Sequence, residues 1–147
     1  MTTISLSDWG QSPQILVGEN EHRLLTATAL TNIGADAERT DFLLYELDRA
    51  QIVRDALLPA DVVRIGSVVR YRPLPGDERT VKLIVPQDDE PRSAYRLAVT
   101  SVHGAALLGL RPGHVMAWLE PDGKMQRLRV LQVTNPPPAD DSGPSAA

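Results

Sequence analysis

The 147-residue chain contains no cysteine, which excludes a disulfide framework, a thiolate metal site and thiol catalysis together. Aromatic side chains are nearly as scarce, with one phenylalanine, two tryptophans and three tyrosines. A cleft walled by aromatic rings therefore has few residues to draw on. The amino terminus, Met1-Thr2-Thr3-Ile4-Ser5-Leu6-Ser7-Asp8-Trp9-Gly10, has no basic stretch followed by an apolar run. Nor does any later segment approach the ~20 uninterrupted apolar residues that a membrane span needs. The expectation is a soluble, cytoplasmic protein with no membrane partner.

What is present is unevenly charged. The net charge of −4 divides into −6 over residues 1–61, +4 over residues 62–133 and −2 in the tail. An acidic amino-terminal part on a basic body suits a protein partner with complementary patches better than a DNA duplex, which the acidic part would repel.

The pattern of residues changes along the chain in the same place. Gln14-Ile15-Leu16-Val17 reads as a short strand or extended lead-in closed by Gly18. From Glu19 to about Ile33 there is neither proline nor glycine. The spacing predicts a helix there, with Leu24, Ala27, Thr28 and Thr31 on one side and Glu19 and Glu21 in the first turn, where the helix dipole favours acids. Gly34-Ala35 ends it and Asp36 is placed to cap a second helix from Ala37 to about Val53. Leu43, Leu44, Leu47, Ala50 and Gln51 cluster on one face of that second helix. Pro59 stops any continuation, so Leu57-Leu58-Pro59-Ala60-Asp61 serves as a joint.

Beyond the joint the period becomes alternating, as in antiparallel strands with one buried face. Val63, Ile65, Val69 and Tyr71 alternate with Arg64, Arg70 and Arg72, and Gly66-Ser67 suggests a bulge. Further strands are expected over Thr80–Val85, Tyr95–Thr100, Val115–Leu119 and Arg127–Val133. Turns at Pro75-Gly76-Asp77 and Pro121-Asp122-Gly123-Lys124 separate them, the Asp-Gly pair being a hairpin signal. Gly104–Leu110 fits a short buried helical segment. Residues 135–147, rich in proline, serine and acids, are expected to be disordered.

Chemistry that needs clustered side chains finds little support. His22, His103 and His114 lack the close spacing of a metal or hydrolase site and read as ordinary polar positions. Ser101 two residues before His103 is better placed to cap the following helix than to act as a nucleophile, since no G-x-S-x-G elbow surrounds it. Pro136-Pro137-Pro138 is a conceivable polyproline ligand, although such tails usually have no reader.

Val99 to Gly113, reading VTSVHGAALLGLRPG, resembles the most characteristic stretch of the carboxy-terminal domain of the Gre transcription factors: a serine, a glycine, then A-L-L-G and a further glycine four residues on. Upstream, Glu46-Leu47-Asp48-Arg49-Ala50-Gln51 and Leu58-Pro59-Ala60-Asp61-Val62-Val63 resemble the helix end and joint of the Rnk branch, the regulators of nucleoside diphosphate kinase. Together these resemblances span roughly residues 37 to 133. They imply an α+β chain: a lead-in and short antiparallel helical hairpin, a coiled-coil arm, over 1–58; an antiparallel β-sheet domain with one short helix and the fold of FK506-binding proteins over 59–134; and the tail over 135–147.

The resemblance also implies docking on RNA polymerase, with the globular domain at the rim of the secondary channel and the arm entering it. In the cleavage factors two acids at the arm tip, set in a D-L-x-E-N context, help hold a catalytic magnesium ion. Here the tip reads Gly34-Ala35-Asp36-Ala37-Glu38-Arg39-Thr40-Asp41, which has acids but not that motif, and Arg39 is placed to neutralise the pair. Helix capping by Asp36 and a first-turn position for Glu38 account for both. The resulting expectation is a monomeric, non-enzymatic regulator that binds RNA polymerase, needs no metal or cofactor and reads no DNA sequence. Its expected contacts are Asp36, Glu38 and Asp41 at the tip and Leu107, Leu108 and Arg111 in the body. Transcript cleavage by the acidic tip is the alternative. Peptidyl-prolyl isomerisation is a third reading, raised by the FK506-binding fold and weakened by a body whose only candidate cleft aromatics are Tyr71, Tyr95 and Trp118.

Overall fold

The computed structural model describes residues 13–31, 37–85, 95–120 and 123–136. Its first half runs β1 (Leu16–Gly18), α1 (Glu19–Thr31), α2 (Ala37–Arg49) and β2 (Gln51–Val53). Glu19 and Glu21 lie in the first turn of α1 and Arg49 in the last turn of α2, each favourable to its helix dipole. His22 Nε2 donates to Leu47 O at 2.9 Å, which sets the start of α1 beside the end of α2. The two helices are therefore antiparallel.

Two helical expectations change. The second helix stops at Arg49 rather than near Val53, because Gln51–Val53 pairs in parallel with Leu16–Gly18. Gln51 N donates to Ile15 O at 2.9 Å, and the β-branched Ile52 and Val53 favour an extended chain once a partner strand is available. In α1 the buried residues are Leu25 and Ala29, while Leu24 is 52% exposed. The expected Leu24–Thr31 stripe thus faces away from the protein. In α2 the buried positions are Leu43, Glu46 and Leu47, with Leu44 and Ala50 partly covered and Gln51 exposed.

A short 3-10 turn, Asp55–Leu57, leads to the body. This contains β3 (Val68–Pro73), β4 (Arg79–Ile84), β5 (Arg96–Ala98), α3 (Val102–Leu107), β6 (Val115–Leu119) and β7 (Met125–Thr134). The five strands form one sheet in the order β5-β4-β3-β7-β6. All pairs are antiparallel except β4 and β5, which run in parallel with Lys82 opposite Arg96. That departs from the all-antiparallel expectation. Tyr95, expected on one side of its strand with Leu97 and Val99, is 46% exposed while Val99 is buried.

The irregularities also move. The Gly66-Ser67 interruption is a turn, closed by Arg64 N to Ser67 Oγ at 2.8 Å and Ser67 N to Arg64 O at 2.9 Å, and the strand begins only at Val68. The bulge lies further on, where Arg70 pairs with Gln132 but Tyr71 pairs with Val130, so that Leu131 is passed over. A one-residue slip reverses which side chains face inward. Leu128, Val130 and Val133 consequently all pack toward the core, while Arg129 and Gln132 face solvent.

One hydrophobic core joins both halves: Leu25, Leu43 and Leu47 of the hairpin pack in the same cluster as Tyr71, Leu83 and Val130 of the sheet. The helices therefore lie on the inner face of the sheet, with α3 between. Asn135, at the start of the expected disordered tail, is tied down: its Nδ2 donates to Ala60 O at 2.7 Å and Val62 O at 2.9 Å, and its Oδ1 accepts from Ser67 Oγ. Residues 137–147 lie outside the described ones.

Candidate functional site

The Ser101–Gly109 segment is where the lead-in, the joint, the sheet edge and the hairpin meet. Ser101 caps α3, its Oγ accepting from Gly104 N at 3.1 Å and donating to Ala98 O at 2.6 Å. The helix is thereby fastened to the end of β5, so closely that a Cβ on Gly104 would lie 2.0 Å from Ala98 O. Gly109 has φ +80° and stands against the lead-in, where an added Cβ would be 2.5 Å from Ile15 Cβ. Its carbonyl accepts from Leu16 N at 3.3 Å and its N–H donates to Val63 O at 2.9 Å. Val63 N in turn donates to Leu110 O at 2.9 Å. Backbone bonds thus hold the joint and lead-in to one short loop.

This arrangement sorts the expected contact residues. Leu107 and Leu108 are fully buried in the core, where they pack the body from within. Arg111 is half-exposed, donating from Nε to Asp61 Oδ1 at 2.9 Å across the joint. Its N–H donates to His114 Nδ1 at 3.1 Å. Asp41 is exposed on α2, and Glu38 lies within the same helix. Asp36 falls outside the described residues.

A second cluster, invisible as such in the sequence, couples the hairpin to the sheet. Phe42 of α2 packs against Trp118 with ring centroids 6.0 Å apart, and His103 meets both Trp118 and Tyr71 edge-on at 5.7 and 5.9 Å. Tyr71 Oη and His103 Nδ1 share a hydrogen bond of 3.1 Å, and Trp118 Nε1 donates to Glu120 Oε2 at 2.8 Å. Burial, with Arg79 nearby, pushes the imidazole of His103 below its usual value, so the ring is neutral at neutral pH. Four of the chain's few aromatic or imidazole rings thus form a seam between helix and sheet. On the same seam Arg49 donates to Pro13 O at 2.8 Å and to the buried Glu46 at 2.8 Å, and reaches Met116 Sδ at 3.7 Å.

Glu21 is the other group that local pattern missed. From α1 its Oε2 accepts from Ile65 N at 3.0 Å, while Oε1 has no hydrogen-bond partner. Burial pushes its carboxyl up to about 7, against the lowering influence of the Ile65 N–H and Arg64. A carboxyl with a higher value folded than unfolded favours the fold most below about pH 4.5 and loses that contribution as pH rises through about 7. Glu21→Gln keeps an acceptor for Ile65 N without a charge. We expect this variant to be more stable than the parent at pH 8, by about 1–2 kcal/mol after allowing for partial exposure, with the difference shrinking toward pH 5. Thermal unfolding at several pH values checks it; a difference that does not change with pH contradicts it.

The geometry coincides with a family boundary. The model of the GreA/GreB transcription elongation factor C-terminal domain matches residues 58–135. The chain is 37% identical over 119 residues to the regulator of nucleoside diphosphate kinase of Escherichia coli strain K12, an alignment covering 71% of this chain and 88% of that protein.

The chain belongs to the GreA/GreB family.

Among solved structures, the prokaryotic transcription elongation factor GreA/GreB from Nitrosomonas europaea superposes with a TM-score of 0.63 at 30% identity, covering 82% of this chain and 99% of that one. The transcription elongation factor GreA of Clostridium kluyveri is 30% identical over 87 residues, 59% of this chain but only 54% of that protein. The family match begins at Leu58, beside the joint. The Ser101–Gly109 segment that marks the GreA/GreB chain is thus also the point where its body grips its lead-in and joint. Among the described residues no three His, Asp or Glu side chains are grouped to hold a metal ion, and no helix is long and apolar enough to cross a membrane.

Proposed function

We propose that this GreA/GreB-family chain is a transcription regulator that binds RNA polymerase at its secondary channel and does not promote transcript cleavage. The observation that carries the second half is the position of Phe42. Because α2 packs on the body from Phe42 to Arg49, only the five helical residues Ala37–Asp41 precede its first aromatic contact, about 7.5 Å of helix. Cleavage demands that carboxylates be carried to the RNA end and hold a magnesium ion there. A hairpin lying along the body has little reach for that, and Asp36-Ala37-Glu38-Arg39 departs from the cleavage factors' tip motif.

In this reading the hairpin acts as a short antiparallel coiled coil, the body as an FK506-binding-like docking domain, and the protein works as a cytoplasmic monomer without a cofactor. Arg111 contacts polymerase from the body, and Asp36, Glu38 and Asp41 from the tip. Leu107 and Leu108 support that surface from beneath.

The exposure of Asp41 beside the tip acids keeps transcript cleavage as a second reading. A backtracked elongation complex with radiolabelled RNA, incubated with saturating protein and magnesium, separates them. The RNA is expected to keep its length. Shortening that is lost in a double variant carrying Asp36→Ala and Glu38→Ala would establish the cleavage reading instead.

A further inference from the structure

The outward face of the five-stranded sheet carries Arg70, Arg72, Lys82, Arg127 and Arg129, all exposed. Arg72 and Arg129 are direct partners in the β3–β7 ladder, and like charges directly opposite each other weaken strand pairing. Glu78 relieves part of this, reaching Arg72 at 3.2 Å and Arg70 at 3.8 Å. Among the described residues no carboxylate forms an ion pair with Lys82, Arg127 or Arg129. A concentration of cations held at a cost to the sheet suggests an anionic partner.

The sequence led us to expect the acidic first half to repel a polyanion, and the fold removes that objection. Trp118 and Met116, which Phe42 and Arg49 touch, lie on the inward side of β6, whereas Ala117 between them pairs with Arg127. The hairpin therefore occupies one side of the sheet and the cations the other.

We propose that this outer face binds the phosphate backbone of duplex nucleic acid without reading its sequence. Protein interfaces centre on aromatic and large apolar anchors, and this face has no aromatic side chain among the described residues. Its apolar positions Val68, Ile84, Ala98 and Val115 are half-buried and Ala117 is buried. The exposed Leu119 and Met125 face each other at the β6–β7 turn, at the end of this face and one two-residue step beyond Arg127. Single-stranded sites stack bases on aromatic rings, but Tyr71 and Trp118 point into the core. What remains is charge alone, carried mainly by arginine, whose planar fork suits phosphate oxygens. Cross-strand spacing of about 4.8 Å and a two-residue step of about 6.8 Å along a strand spread the cations over roughly 10–15 Å, enough to span a few phosphates.

The test is fluorescence anisotropy of a labelled 20-base-pair DNA duplex of mixed sequence with the full chain and no polymerase present. Binding is expected at 50 mM salt, indifferent to a change of sequence, with affinity falling as salt rises at a log–log slope of about −2 to −4. The double variant Arg127→Gln with Arg129→Gln should weaken binding at least about five-fold and flatten that slope by about 1–2, while Arg23→Gln on α1 leaves both unchanged. Because Arg129 faces Arg72, the double variant should melt no lower than the parent, which separates lost binding from lost fold. No binding at 50 mM salt, undiminished binding by the double variant, or tighter binding of a single strand of equal length each overturns the proposal. So does a double variant that binds duplex normally but loses core polymerase, which makes the face a protein contact. Duplex binding is measured without polymerase, so its failure leaves the polymerase-docking reading untouched.

Discussion

Replacing Gly104 with alanine is expected to cost about 3 kcal/mol or more of stability, a large part of the 5–15 kcal/mol that holds a typical domain folded. The added Cβ would meet Ala98 O at 2.0 Å, Ala98 C at 2.8 Å and Val99 Cα at 2.9 Å. All three are backbone atoms at the end of β5, so no side-chain rotation relieves the clash. Moving α3 outward would stretch both bonds of the Ser101 cap, 2.6 Å to Ala98 O and 3.1 Å to Gly104 N, and would open the core around the fully buried Ala105, Ala106 and Leu107. Urea unfolding followed by circular dichroism checks the expectation. A stability within about 0.5 kcal/mol of the parent would show that the strand and helix do not approach as described.

Leu107→Ala is expected to cost about 2–5 kcal/mol, the range for a buried leucine whose cavity closes only partly, and Leu108→Ala about the same. Both side chains are fully buried. Arg111→Ala removes an ion pair whose two members are each 44% exposed, so its cost should stay within about 1 kcal/mol. The binding pattern should be the reverse. Arg111→Ala is expected to lose polymerase while remaining folded, and the leucine variants to lose it only in proportion to their unfolded fraction. Measuring folded fraction and polymerase capture on the same samples decides this. A folded Leu107→Ala protein that fails to bind, beside an Arg111→Ala protein that binds fully, would contradict the assignment of roles.

How much of this was written locally can be judged residue by residue. Ser101 was legible as a cap because the group it caps is three residues away. Pro59 marked the joint for the same reason, and the alternation of Arg70, Tyr71 and Arg72 announced a strand with one buried face. Gln51–Val53 was not legible, since a helix and a strand both suit it until Leu16–Gly18, some 35 residues earlier, supplies a ladder. The buried face of α1 was left open by the sequence, because Leu25, Leu30 and Ile33 interrupt the Leu24–Thr31 stripe. What decides is the partner helix, through His22 and Leu47. Parallel entry of β5 and the skipped Leu131 are likewise choices made between distant strands.

The same division holds for the candidate site. The Ser101–Gly109 motif identified the family, and its conspicuous leucines, Leu107 and Leu108, fill the core. Glu21 stands one helical turn before Leu25, on the side that is buried, so an i, i+4 reading on the correct stripe would have found it. The Phe42–Trp118–His103–Tyr71 seam had no local signal at all. Its members come from four separate elements.

The central claim is that this chain is a polymerase-docking member of its family, and co-purification of the tagged full chain with core RNA polymerase addresses it most directly. Stoichiometric recovery of polymerase with the parent protein, and its loss with folded Arg111→Ala, is the predicted result. A folded parent chain that brings down no polymerase at micromolar concentration and low salt would contradict the account.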